Sequence, residues 1–88
     1  MHNFEIKKEL DDIMKKLYRK DRNLHEQIMN KINEIVNSES LDHYKYLRYN
    51  MKDSQRVHVG HFVLVFSFNK TDDLILFEYF DHHDNIYG

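Results

Sequence analysis

Near residue 40 the spacing of apolar side chains changes from every third or fourth position to every second one. Few folds accommodate both halves of such a chain. Upstream, Leu10, Ile13, Met14 and Leu17 recur at helical spacing over about 7–20. Acids lie early (Glu5, Glu9, Asp11, Asp12) and bases late (Lys15, Lys16, Arg19, Lys20), the order a helix dipole favours. A second apolar stripe, Leu24, Ile28, Ile32, Ile35 and Val36, marks a helix over 23–37. Asn23 and Glu26 are spaced as a capping box, and Asn37 suits a left-handed stop. Residues 2–6 fit either a short edge strand or a helix start. Joined near Asp21-Arg22, the two helices form a hairpin whose apolar stripe needs a partner layer.

Downstream, Gln55 to Val59 and His61 to Phe68 alternate, and Leu74 to Phe80 is a third β-rich run. Gly60-His61 suits a two-residue hairpin turn with glycine at its first central position. That turn pairs Val59 with Phe62 and Val57 with Leu64 on one face, and sets Arg56 and His58 opposite Val65 and Val63 on the other. Residues 69–73 form the next turn, whose length leaves the register of the third strand open. The expected architecture is α+β: an N-terminal two-helix hairpin packed on a three- to four-stranded antiparallel sheet at 55–82, all within one domain, 1–88. With one helical layer, the face bearing Val63 and Val65 either stays partly wet as a partner site or is covered by the N-terminal segment or by residues 41–50.

Composition narrows the function classes. A chain of 88 residues supports one thin core, burying roughly 60–65% of the surface its unfolded form exposes. Without cysteine it has no disulfide framework and no thiolate metal site. The charged N-terminus does not read as a signal peptide, and no apolar run approaches the roughly 20 residues of a membrane span, so the expectation is a soluble cytoplasmic protein. Net charge is −2, which argues against binding nucleic acid through bulk electrostatics. The exception is a short basic stretch, Lys45, Arg48, Lys52, Arg56 and His58, opposed mainly by Asp53. An anion site belongs there. Of the seven histidines, His58, His61, His82 and His83 could converge, but they lack a recognised ligand spacing, and no metal or other cofactor is expected.

The ordered series Leu47-Arg48, Arg56-Val57-His58-Val59, Leu64-Val65-Phe66 and His82-His83-Asp84-Asn85-Ile86-Tyr87, preceded by a charged helical hairpin, resembles the RelE/ParE toxin superfamily, its archaeal RelE-like branch most. The resemblance implies a toxin silenced by a cognate antitoxin. RelE-type members cleave messenger RNA on the ribosome without a metal, whereas ParE-type members act on gyrase. The terminal segment ending in Tyr87 looks like the ribonuclease branch, with no membrane and no direct DNA contact implied. Arg48, Lys52, Arg56 and His58 fall where the family places basic residues, and His82 or His83 where it places arginine or histidine. Val63 stands where well-studied ribonucleases of the family have arginine. The chain stops one residue after Tyr87, so the C-terminal helix of some members is expected to be missing.

Cleavage through the 2′-hydroxyl requires a base, a counter-charge for the phosphorane and an acid for the departing 5′-oxygen. On this reading Arg48, Lys52 and Arg56 hold phosphate, with Arg56 nearest the scissile group and His58 beside it. His83 (or His82) is the general acid, and Tyr87 stacks on a base or assists the proton transfer. The competing reading, supported by the near-neutral charge and Val63, is a RelE-fold interaction module without catalysis that binds an antitoxin or another protein. Gyrase poisoning is a third.

Overall fold

In the computed structural model, residues 1–42, 44–46 and 54–87 are described, with Lys45, Tyr46 and Tyr87 described by their backbone. The chain runs β1 (Asn3–Ile6), α1 (Lys8–Lys20), α2 (Arg22–Val36), β2 (Lys45–Tyr46), β3 (Gln55–Val59), β4 (Phe62–Asn69), β5 (Leu74–His82) and α3 (His83–Tyr87). The strands form one sheet in the order β1-β5-β4-β3-β2. The α+β architecture and the antiparallel trio at its centre follow the two apolar periods. The sheet is wider than expected, and not wholly antiparallel, because β1 pairs with β5 in parallel.

The helices form where their apolar stripes have a surface to cover. Leu10 and Met14 of α1 and Ile28, Ile32, Ile35 and Val36 of α2 are buried in one cluster with Leu64, Phe66, Ile75, Phe77 and Phe80 of the sheet. The link between the helices is shorter than the capping-box reading requires. Asp21 ends α1, its amide donating to the Leu17 carbonyl, and begins α2, its carboxylate accepting from the Leu24 amide at 3.1 Å. Asp21 is therefore the N-cap, and Asn23 lies within the first turn. Asn37 does not take the left-handed stop either. It sits at φ −95°, and its side-chain amide donates to the Asn33 carbonyl at 2.9 Å, closing the last turn from the side chain.

The open question at residues 2–6 resolves to a strand. The His2 amide donates to Val36 O, and its ring donates to Ser38 O at 2.7 Å with the other ring nitrogen 2.6 Å from the Asp73 carboxylate. These contacts clasp the start of β1 to the end of α2 and to the β4–β5 turn. Toward the other edge of the sheet, buried Gln55 donates to the carbonyls of Leu41 and Tyr44 at 2.6 and 3.1 Å, and both of those residues pack on the core.

The hairpin between β3 and β4 has the expected register, with Val59 opposite Phe62 and His58 opposite Val63. Gly60 has φ +62° while His61 has negative φ, the pattern that places glycine first in a two-residue turn. Between β4 and β5 the register slips. Phe66 pairs with Phe77 but Val65 pairs with Tyr79, leaving Glu78 as the extra residue of a bulge. The bulge settles which side of β5 faces inward. Ile75 and Phe77 face the helices before it and Phe80 after it, so Tyr79 and Asp81 turn to the opposite face.

That opposite face is not wet at its centre. Val63 and Val65 are fully buried beneath Ile86 of α3. The expectation that the chain lacks a C-terminal helix is corrected here: a five-residue helix supplies cover through Ile86, a source the sequence did not suggest, while most of residues 41–50, one of the expected covers, lies outside the described residues. Among the described residues no helix is long and apolar enough to cross a membrane.

Candidate functional site

Strand alternation sends Arg56 and His58 to the face away from the helical hairpin, where each heads a cross-strand row: Arg56–Val65–Tyr79 and His58–Val63–Asp81. Helix α3 closes over the end of these rows. His83 and Ile86 are three apart and share one face of α3, so the contact that seats Ile86 on the valines also brings His83 down beside β3. The His83 ring stacks on that of His58, with centroids 5.6 Å apart and planes 26° from parallel.

The junction between β5 and α3 is heavily tied. The Asp81 carboxylate accepts from the His82 amide at 2.7 Å, the Asn85 side-chain amide at 3.0 Å and the Tyr79 hydroxyl at 3.2 Å. The Asn85 amide, followed by the His82 backbone, holds the Asp81 carboxyl below the usual carboxylate range. The hydrogen bond from the Tyr79 hydroxyl to Asp81, with the Asp81 charge behind it, pushes the Tyr79 phenol up. The His83 amide donates to His61 O at 3.0 Å, and the Asp84 amide donates to Nδ1 of His82 at 3.2 Å. His82 thereby acts as the N-cap of α3.

The two adjacent histidines, between which the sequence does not choose, therefore part company. His83 joins Arg56 and His58 on the outer face. His82 turns to the helix side, edge-on to Phe62 at 5.4 Å and near-parallel to His61 at 6.5 Å, with one ring nitrogen committed to the cap. The backbone of Tyr87 is on α3, four residues beyond His83. Arg48 and Lys52 lie outside the described residues. Val63 is sealed under Ile86, so the described basic groups of this face come from β3 and α3. No cluster of three or more His, Asp or Glu side chains among the described residues is arranged to hold a metal ion.

This site offers a guanidinium and two imidazoles on one surface, with the His83 side chain about half exposed. Such a set can neutralise a phosphate and both accept and donate a proton. No family model matches the sequence. A protein of Methanocaldococcus jannaschii named "Putative toxin RelE4" is 41% identical over 88 residues, spanning 99% of this chain and 92% of that one. The chain belongs to the RelE toxin family.

Solved structures agree on the RelE-type fold. The crystal structure of YafQ from E. coli superposes with a TM-score of 0.68 at 19% identity, covering the whole of both chains. A chain of the RelBE2 toxin–antitoxin complex from Mycobacterium tuberculosis gives 0.55 at 16% identity over 93% of this chain and 98% of that one. In this RelE-family chain, the residue that sequence reasoning missed is Asp81. Its signal was present, since an Asp one position before a short polar run ending in Ile-Tyr suits a helix start, but five residues are too few for an apolar period to reveal the helix itself.

Proposed function

We propose that this chain is the toxin of a toxin–antitoxin pair and that it cuts messenger RNA on the ribosome by attack of a 2′-hydroxyl on the adjacent phosphate. The observation that carries the reading is the assembly of Arg56, His58 and His83 on one face of the sheet, in a chain 41% identical along its length to a protein named as a RelE toxin. One imidazole takes the 2′-hydroxyl proton, O2′ bonds to phosphorus, and Arg56 neutralises the charge that builds on the equatorial oxygens. His83 gives a proton to the departing O5′ while its stacked neighbour His58 serves as the base. The products are a 2′,3′-cyclic phosphate and a 5′-hydroxyl, and protons balance across the pair. Tyr87 at the end of α3 stacks on a base, and Arg48 and Lys52 hold flanking phosphates. An antitoxin covers the site, gripping the strip of Leu74, Leu76 and Tyr79 that α3 leaves partly exposed.

Induced expression without an antitoxin should arrest growth, and mapping of transcript ends should show new cuts. His83→Ala should relieve the arrest at equal protein level. Growth arrest with DNA damage signalling and intact transcripts would instead favour a gyrase target. A second reading, an interaction module without catalysis, is favoured by the valine pair that fills the middle of the face, and harmless expression of folded wild type would support it.

A further inference from the structure

The outer stripe of α2 is a feature that neither the core nor the proposed chemistry uses. Gln27, Asn30, Lys31 and Glu34 are spaced i, i+3, i+4 and i+7, so they line one face of the helix. With His58, Val59 and Gly60 at the end of β3 they enclose a cleft of about 330 Å³. That volume is at the low end of the range for small-ligand sites. His58 borders the cleft and also stacks on His83, so the cleft adjoins the outer-face pair at the edge of β3.

The lining chemistry is selective. Lys31 and Glu34 are joined at 2.7 Å, so the lysine's charge is already matched and the cleft is a poor phosphate trap. Asn33, one turn away, is occupied by the cap at Asn37. The side chains of Gln27 and Asn30, by contrast, make no hydrogen bond to other described residues. Each offers a carbonyl acceptor beside an amide donor, the paired array that reads the edge of a nucleobase. We infer that this cleft is a base-recognition subsite: a nucleotide next to the one held at His58 and His83 lays its base edge against Gln27 and Asn30, which set sequence preference. The inference rests on the RNA-cleaving reading for its biological sense, but the base-binding itself is separately measurable.

The test is a nuclear magnetic resonance titration of the full-length protein with the four nucleoside 5′-monophosphates, using ribose 5-phosphate as the control. The side-chain amide signals of Gln27 and Asn30 should shift with a dissociation constant about tenfold tighter for the preferred base than for the weakest, the scale of one bidentate contact. A Gln27→Ala/Asn30→Ala variant, which replaces two exposed helix residues by a good helix former, should stay folded and lose that difference. Equal shifts with all four bases, shifts with ribose 5-phosphate alone, or none would overturn the subsite. Transcript mapping separates the two claims. Base-selective shifts in a protein that cuts no RNA sink the ribonuclease reading and leave the subsite standing, whereas cutting without base-selective shifts does the reverse.

Discussion

The two faces of the sheet are built for different ends. Toward the helical hairpin, thirteen buried apolar residues among those described form one cluster, including Phe66, Phe77 and Phe80 with rings packed against neighbours. Toward the other side, two buried valines and the partly buried Ile86 make up the second cluster among the described residues, ringed by Arg56, His58, Tyr79, Asp81 and His83. The first face holds the chain folded. The second carries charged and titratable groups on a rigid floor, with apolar contact enough only to seat one short helix. The contrast sets the packing that holds the fold apart from the groups assigned to the proposed chemistry, and each assignment can be attacked by mutation.

The largest effect belongs to the helix-covered face. Phe77 is fully buried beside Phe66, with Phe4 against its edge. Phe77→Ala should cost about 3–5 kcal/mol, a large share of the roughly 5–15 kcal/mol that holds a domain folded. Urea unfolding should show a much lower midpoint, or no folded protein at all. A midpoint near wild type would mean that this face is not where the stability lies.

On the opposite face the same kind of truncation should act on chemistry instead. His83→Ala should leave the unfolding free energy within about 0.5 kcal/mol of wild type, as for other exposed positions. Transcript cleavage should fall by about a hundredfold or more, the usual worth of a positioned acid or base. His82→Ala separates the neighbours. It removes a cap, so it should lower stability by about 1 kcal/mol and reduce cleavage less than His83→Ala. Equal cleavage losses for the two would erase the distinction drawn between the faces at this junction.

How much of this was legible depended on periodicity. The hairpin helices, the β3–β4 turn at Gly60 and the shared face of Arg56 and His58 follow directly from residue spacing, because each rests on several apolar positions in phase. What the sequence hid was set by single residues or by edges. β1 is exposed over three of its four residues, so it carries no alternation to read. The bulge at Glu78 moves the inward positions from Ile75 and Phe77 to Phe80, a phase slip that a strict two-residue period misreads. The choice between His82 and His83 turned on where β5 becomes α3, and adjacent residues at such a junction point opposite ways.

Ile86 sharpens the comparison because it is the hinge between the two roles. It is only partly buried, so Ile86→Ala should lower global stability by about 1 kcal/mol, well short of a core truncation. The same change removes the apolar contact that seats α3, and with it the position of His83 over His58. Cleavage should therefore fall by more than the stability loss explains, with the His83 ring signals averaging toward solvent. If cleavage tracks stability alone, α3 is held by its capping network and the valine contact is incidental.

The smallest effect tests that capping network by pH. The Asp81 carboxyl is held below its unfolded value by the Asn85 amide and the His82 backbone, so its contribution is fully present above the unfolded value near about 4. As pH falls through the lower folded value the carboxylate takes up a proton and the contribution is lost. The Tyr79 phenol is pushed up by its hydrogen bond to the Asp81 carboxylate and by that charge, so the hydroxyl keeps donating past its ordinary value of about 10 and is lost only as pH rises through the higher folded one. Between those limits α3 should stay docked, and below about pH 4 its amide signals should broaden before the helix-covered core responds. Asp81→Asn removes the titrating group, so the early acid loss should vanish and α3 should be equally loose at every pH. An acid transition that reaches α3 and the Phe66–Phe77 core together would mean that the two faces unfold as one, and that the separation argued from their packing does not extend to their dynamics.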